Sequence, residues 1–158
     1  MLIVQSNLAM VYRRLGRFEE ALRVRQDVYS GRLKLDGVEH EKTILAASNY
    51  ASSLLDLQRF KEAKSLLRRT MPVARCVLGE SHITTLRIRW NYAMALYQDR
   101  GATLDDLREA VTTLEDAGRI ARRVFGGMHP LTSDVEKYLQ EARAFLRVRE
   151  TPSLPEDV

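Results

Sequence analysis

The stretch "NLAMVYRRLGRFEEA", residues 7–21, recurs as "NYASSLLDLQRFKEA" at residues 49–63. Asn7, Asn49 and Asn91 are spaced by 42 and 42, and Ala9, Ala51 and Ala93 follow in step. The third copy, "NYAMALYQDRGATLDDLREA" at 91–110, carries five extra residues before its "EA". A second motif obeys the same arithmetic. All three histidines sit in G-x-x-H-x-x-T: "GVEHEKT" at 37–43, "GESHITT" at 79–85 and "GGMHPLT" at 126–132. His40 to His82 is 42 residues and His82 to His129 is 47, which reproduces the five-residue insertion. Two motifs that share one insertion mark an internal repeat, and a period in the forties is the mark of a helical array.

Each repeat reads as two helices. In the second helix of repeat two, Ala63, Leu66, Leu67, Thr70, Ala74, Val77 and Leu78 fall at offsets of three and four, one face of a 3.6-residue helix. The same frame in repeat three gives Ala110, Leu114, Ala117, Ala121, Val124 and Phe125. Ala47, Tyr50, Ala51 and Leu54 form the inward face of the first helix of repeat two. Small residues at Ala9, Ala51 and Ala93 let paired helices approach closely, and Phe18 and Phe60 are expected to fill the corner after the turn. No segment keeps a period of two, so no strand is expected. The helices predicted are 2–15, 18–35, 41–57, 60–78, 83–99, 104–125 and 130–149.

The stops are legible as well. Gly16 fits the turn inside repeat one, and Gln58 takes its place in repeat two, where left-handed backbone carries strain. Gly37, Gly79 and Gly126 fall just past the second helices, where a left-handed residue closes a helix. Thr103 and Asp106 have capping-box spacing. Pro72 is expected to kink its helix. The domain reading is a single array over 1–150, with repeats at about 1–37, 38–79 and 80–126 and a capping helix at 129–149. The Pro-rich, acidic tail at 151–158 is expected to be disordered. No histidine motif precedes Asn7, so the first helix is expected to be truncated, and the chain to be a piece of a longer array or to have an uncapped N-terminus.

Composition limits the function classes. Apolar residues make up 45% of the 158 and charged residues 29%, the balance of a folded, soluble protein. No apolar run approaches the ~20 residues of a membrane helix, and the N-terminal apolar stretch lacks the basic lead of a signal peptide. The single cysteine, Cys76, excludes an internal disulfide framework and Cys-rich zinc sites. It points to a reducing, cytoplasmic setting. The formal charge of +4 suits an acidic protein partner or weak nucleic-acid contact.

"NLAMVYRRLGRFEEA" resembles the tetratricopeptide repeat (TPR) signature through Leu8, Ala9, Tyr12, Gly16, Phe18 and Ala21. The 42-residue period, the "NLA" opening and the G-x-x-H-P-x-T joint resemble the kinesin-light-chain variant of that repeat. Only 126–132 keeps the proline; Glu41 and Ile83 stand in its place elsewhere. The resemblance covers roughly residues 1–149. It implies an all-α, right-handed superhelical α-solenoid of antiparallel helix pairs, about three TPR repeats plus a C-terminal capping helix.

Enzyme and metal readings fail on spacing. A shared zinc needs ligand atoms about 2.0–2.1 Å from one ion, whereas successive first helices of a stacked array lie roughly 10 Å apart. His40, His82 and His129 then form a row that cannot converge. They suit N-caps instead, with Pro130 at the first helical position. Thr43, Thr85 and Thr132 fall in the first turn, where a hydroxyl meets a backbone group or the imidazole. "FGGMHP" lacks the Lys-Ser/Thr of a phosphate loop. Cys76 has no placed histidine partner and is expected to be a buried or half-buried structural thiol. Glu19/Glu20 and Asp105/Asp106 sit in first turns, where acids complement the helix dipole. No catalysis, metal or cofactor is expected.

The asparagine row directs the search for a binding site. Three and seven residues after Asn7, Asn49 and Asn91 come Met10 and Arg14, Ser52 and Asp56, Met94 and Gln98, all on one face. In a TPR array the first helices line the concave surface, and the resemblance implies that the asparagines hydrogen-bond an extended peptide backbone there. An amide offers donors and an acceptor, which suits a backbone without reading its sequence. Alternatively the asparagines bond between neighbouring first helices. Specificity falls to Ile3, Ser6, Leu45, Ser48, Arg87, Trp90, Met94 and Tyr97. Trp90 is either an interface anchor or is packed against the insertion. Arg13, Arg14, Arg87 and Arg89 favour an acidic segment. The peptide groove is therefore expected at Asn7, Met10, Arg14, Leu45, Asn49, Ser52, Arg87, Trp90, Asn91 and Met94. Nucleic-acid binding is the second reading, with interleaved Glu and Asp against it. Self-association through the truncated first helix is the third, against a monomer. No membrane partner is expected.

Overall fold

The computed structural model describes residues 2–151, with side chains from Val4 onward. Ile3 as a specificity residue and the expected disorder of the tail beyond Thr151 therefore lie outside the described residues. Seven helices follow in order: α1 (Leu2–Arg14), α2 (Phe18–Asp36), α3 (Glu41–Asp56), α4 (Phe60–Leu78), α5 (Ile83–Tyr97), α6 (Leu104–Phe125) and α7 (Pro130–Glu150). No strand occurs among the described residues. Each helix packs on the next, α3 also packs on α5, and α5 on α7. The result is an all-α solenoid.

Paired alanines set the helix pairs. Ala9, Ala51 and Ala93 on the first helices are fully buried, and so are Ala21, Ala63 and Ala110 on the second helices. Around them one apolar cluster runs from Leu22 in α2 through Leu54, Leu67, Leu86, Tyr92 and Leu114 to Val135 and Ala142 in α7. The edges of the predicted stripes are less buried than their periodicity implied. Val77 and Val124 lie three residues past Ala74 and Ala121, about 60° off the buried line, and are largely exposed. Cys76 lies about 200° from Ala74 and is exposed, not a buried thiol. Phe18 is also partly exposed rather than enclosed in its corner, whereas Phe60 packs against the core.

The joints between repeats use the histidine motif three times. His40, His82 and His129 are N-caps whose Nδ1 accepts the backbone N–H two residues on, from Lys42, Thr84 and Leu131, each at 3.2 Å. Thr43 and Thr85 donate their hydroxyls to the Arg32 and Ala74 carbonyls of the preceding helix, each at 3.3 Å. The backbone, and not the imidazole, is their partner. Thr132 occupies the same place, but its buried Oγ1 has no hydrogen-bond partner. The preceding glycines differ from the expected left-handed closure. Gly37, Gly79 and Gly126 have φ of 82°, 93° and 84° with ψ of 173°, 162° and 166°. Each still closes a last backbone hydrogen bond onto its helix, then sends the chain onward extended, in a region essentially restricted to glycine.

The turns inside repeats are left-handed. Gly16 has φ 71° and Gln58 has φ 57°, the one non-glycine with positive φ among the described residues. Both sit in Schellman turns. Arg17 N–H reaches the Tyr12 carbonyl at 2.9 Å, and Arg59 N–H reaches Leu54 at 2.8 Å. In repeat three the five extra residues form a separate turn, in which Gly101 N–H donates to Asp99 Oδ1 at 2.9 Å. The chain then enters α6 through the Thr103–Asp106 capping box. α4 continues through Pro72 to Leu78 without a break.

Two outcomes follow from these joints. Gln58→Gly removes the strain of a side chain in left-handed backbone, and urea unfolding should show a gain of about 0.5–1 kcal/mol. Asp106 accepts from Lys64 Nζ at 2.5 Å and from Thr103 N–H at 3.0 Å, and these bonds hold its carboxyl at about 2. Its stabilising effect is complete above the ordinary carboxylate value of about 4 and is lost as pH falls toward 2. The stability gap between wild type and Asp106→Asn, measured by urea unfolding from pH 6 to pH 2, should be constant above about pH 4–5 and close below it.

Candidate binding groove

α1 packs on α2, yet its backbone does not approach α3 in the way that α3 approaches α5. An open groove of about 800 Å³ occupies the gap between α1 and α3. Asn7, Met10, Arg13 and Arg14 line it from α1, and Leu45, Asn49 and Asp56 from α3. Phe18 and Arg25 close it from α2, and Arg87 reaches in from α5. Of the residues expected on the asparagine face, Asn7, Met10, Arg14, Leu45, Asn49 and Arg87 meet in this groove, contributed by α1, α3 and α5.

The groove is cationic. Its four arginines face one carboxylate, Asp56. Arg13 holds that carboxylate in a fork, with Nε at 2.6 Å and Nη2 at 2.8 Å from its two oxygens. The Asp56 hydrogen bond raises the Arg13 guanidinium above its usual value, outweighing partial burial. Arg14 and Arg87 have no ion pair among the described residues. Arg25 lies at the base, 9% exposed. Its Nη1 donates to the Asn49 carbonyl at 2.9 Å and to Ser53 Oγ at 3.0 Å. Burial lowers its guanidinium, and the nearby charges of Arg13 and Arg87 lower it further, with only Asp56 opposing.

The asparagine row divides. Asn7 is exposed and Asn49 half-buried at the groove, and neither side-chain amide has a hydrogen-bond partner among the described residues. Asn91 is buried and donates Nδ2 to Ser52 Oγ at 3.0 Å, joining α5 to α3. The bond between neighbouring first helices, one of the two roles open to the row, is therefore realised at Asn91 and Ser52. The reason is packing: α3 and α5 are in contact, whereas α1 and α3 stand apart.

The other expected residues lie away from the groove. Trp90 is half-buried against Tyr138 of α7, ring centroids 5.2 Å apart. Its indole Nε1 is buried without a partner. Met94 packs on the core. Ser48 and Tyr97 are buried, and the Tyr97 hydroxyl donates to Glu141 of α7 at 3.1 Å. Burial pushes that phenol well above its ordinary range. Arg89 is buried and paired with Glu80. Arg25 is the residue that sequence reading missed. Its signal was available: at the same register of repeats two and three stand Leu67 and Leu114, both fully buried.

Among the described residues no three His, Cys, Asp or Glu side chains gather as metal ligands, and no helix is long and apolar enough to cross a membrane. The tetratricopeptide repeat family matches residues 1–75. No curated protein matches the chain. Among solved structures it is similar to kinesin-light-chain-like, nearly identical TPR-like repeats of Podosopora anserina in two crystal structures. One gives a TM-score of 0.80 at 24% identity, over 91% of this chain and 66% of that one. The other gives 0.77 at 23% identity, over 98% and 79%. BtubC (BKLC) from P. vanneervenii aligns with a TM-score of 0.59 at 15% identity, over 99% of this chain and 68% of that one. This chain thus spans about two thirds of the length of the first of these. Repeat register, helix pairing and structural neighbours agree on the fold, a tetratricopeptide-type α-solenoid, with the repeat family itself matched over residues 1–75.

Proposed function

We propose that the chain is a protein–protein interaction module that holds an extended, acidic segment of a partner protein in the groove between α1 and α3. The observation that carries this reading is the meeting of amides and cations that have no partner among the described residues in one groove. Asn7 and Asn49 offer donors and acceptors to a peptide backbone, while Arg14 and Arg87 have no carboxylate of their own. Backbone-directed amides supply register, and guanidiniums select acidic side chains through charge-assisted hydrogen bonds. Met10 and Leu45 add exposed apolar surface between them. The fold suits the task, because a stacked helical array presents an extended surface to a bound segment.

Two measurements test the reading. A fluorescein-labelled Glu-rich decapeptide should bind wild type more tightly than its Gln counterpart, and the difference should shrink as salt rises. Asn49→Ala with Arg87→Ala should weaken that binding about tenfold or more, and unchanged affinity would sink the groove. The row's two roles separate by stability. Asn91→Ala removes the bond to Ser52 and should cost about 1 kcal/mol in urea unfolding, whereas Asn49→Ala should stay within about 0.5 kcal/mol of wild type.

A further inference from the structure

Arg25 is placed where this array otherwise puts a core leucine. Counting by the repeat register, its counterparts are Leu67 in α4 and Leu114 in α6, each fully buried in the apolar cluster. In the first repeat the position opens toward the gap between α1 and α3, because those two helices do not pack on each other. The guanidinium takes that opening. Nη1 is fixed by the Asn49 carbonyl and Ser53 Oγ. Nε and Nη2 have no hydrogen-bond partner among the described residues, and they are absent from the fully enclosed, unpartnered atoms. Their N–H groups therefore meet the groove, where Arg25 is part of the lining.

A nearly buried cation normally has an anion beside it. Here the nearest carboxylate, Asp56, is already held by both arms of Arg13. Arg13 and Arg87 add positive charge around Arg25. The unmet requirement is a single oxyanion with two oxygens, presented from the groove side.

Building on the groove reading above, we infer that Arg25 is the specificity-determining anchor of the groove and receives one carboxylate side chain of the bound segment. The fork geometry of the free Nε and Nη2 edge matches two carboxylate oxygens. Arg14 and Arg87, at the rim, receive further acidic residues with less geometric demand. Because the Arg25 head is already held by α3, little side-chain freedom is lost on binding. Discrimination between Glu or Asp and their amides then arises chiefly at Arg25.

The test replaces Arg25 with the residue used by the other two repeats. Arg25→Leu should unfold at or above the wild-type temperature, since an unpaired buried cation gives way to an apolar side chain of the stack. It should lose tenfold or more in affinity for the labelled Glu-rich decapeptide, and its preference for Glu over Gln should largely vanish. Arg25→Met, which keeps length without charge, should behave the same way and serves if the leucine variant does not fold. Retention of the Glu-over-Gln preference in either folded variant overturns the inference. If those variants bind as wild type while Asn49→Ala with Arg87→Ala does not, the groove reading stands and Arg25 is not its anchor. If wild type itself shows no preference for the Glu peptide, both fall.

Discussion

The burial of paired alanines fixes the distance between the two helices of every repeat, and the rest of the structure is arranged around that distance. Ala9 with Ala21, Ala51 with Ala63 and Ala93 with Ala110 are all shielded from solvent. Small side chains allow a close approach, and close approach leaves each pair with an apolar face that a neighbouring pair must cover. The joints deliver that neighbour. A glycine with extended ψ turns the chain away from one helix, a histidine caps the next, and a threonine hydroxyl ties back to the helix just left. The five-residue insertion leaves this unit intact because it falls within repeat three, before α6, and adds its own Asp99 turn and Thr103 cap.

α1 shows what happens when the covering is partial. Val4, Leu8 and Val11 are exposed, while their register counterparts Ile88, Tyr92 and Ala95 are buried. The same helix stands off from α3, although α3 is packed on α5. The gap turns equivalent residues to different uses. Asn91 is closed over by its neighbour and bonds to Ser52, whereas Asn49 keeps its amide open. A position occupied by leucine at 67 and 114 accepts Arg25, because at this place a charged head has somewhere to go.

The helices were legible in the sequence because each boundary carries a residue with a physical reason to be there. Gly16, Gly79, His82 and Pro130 fall at the ends expected of them, and even the strain at Gln58 follows from its alignment with Gly16. The face of the site was legible for the same reason: period and register place Asn7, Arg14, Asn49 and Arg87 together. Sequence does not report which neighbours come into contact. Trp90 packs on the Tyr138 ring, in a residue of the same chain about one repeat away, and that pairing depends on how α7 settles against α5. Tyr97 and Arg89 were drawn inward by Glu141 and Glu80 in the same manner. Cys76 stands between the inward residues Ala74 and Leu78, but its own helical direction faces solvent. Arg25 belongs to a second helix, whereas the asparagine register runs along the first helices, so that register does not point to it.

The groove's shape has a definite source as well. Arg13 and Asp56 bridge α1 and α3 through a two-pronged bond, but the Arg13 side chain is 47% exposed, and such a pair is worth at most about 1 kcal/mol. That is too little to set the spacing of two helices. The spacing follows from α1 packing on α2 and not on α3, with the bridge spanning the gap that this leaves. In the proposed complex an extended segment suits this groove, because Asn7 and Asn49 present side-chain amides to it from its two sides. In the proposed complex an acidic residue of the segment would compete with Asp56 for Arg13. Substitution at Asp56 therefore acts on the charge offered to a ligand more than on the width of the groove.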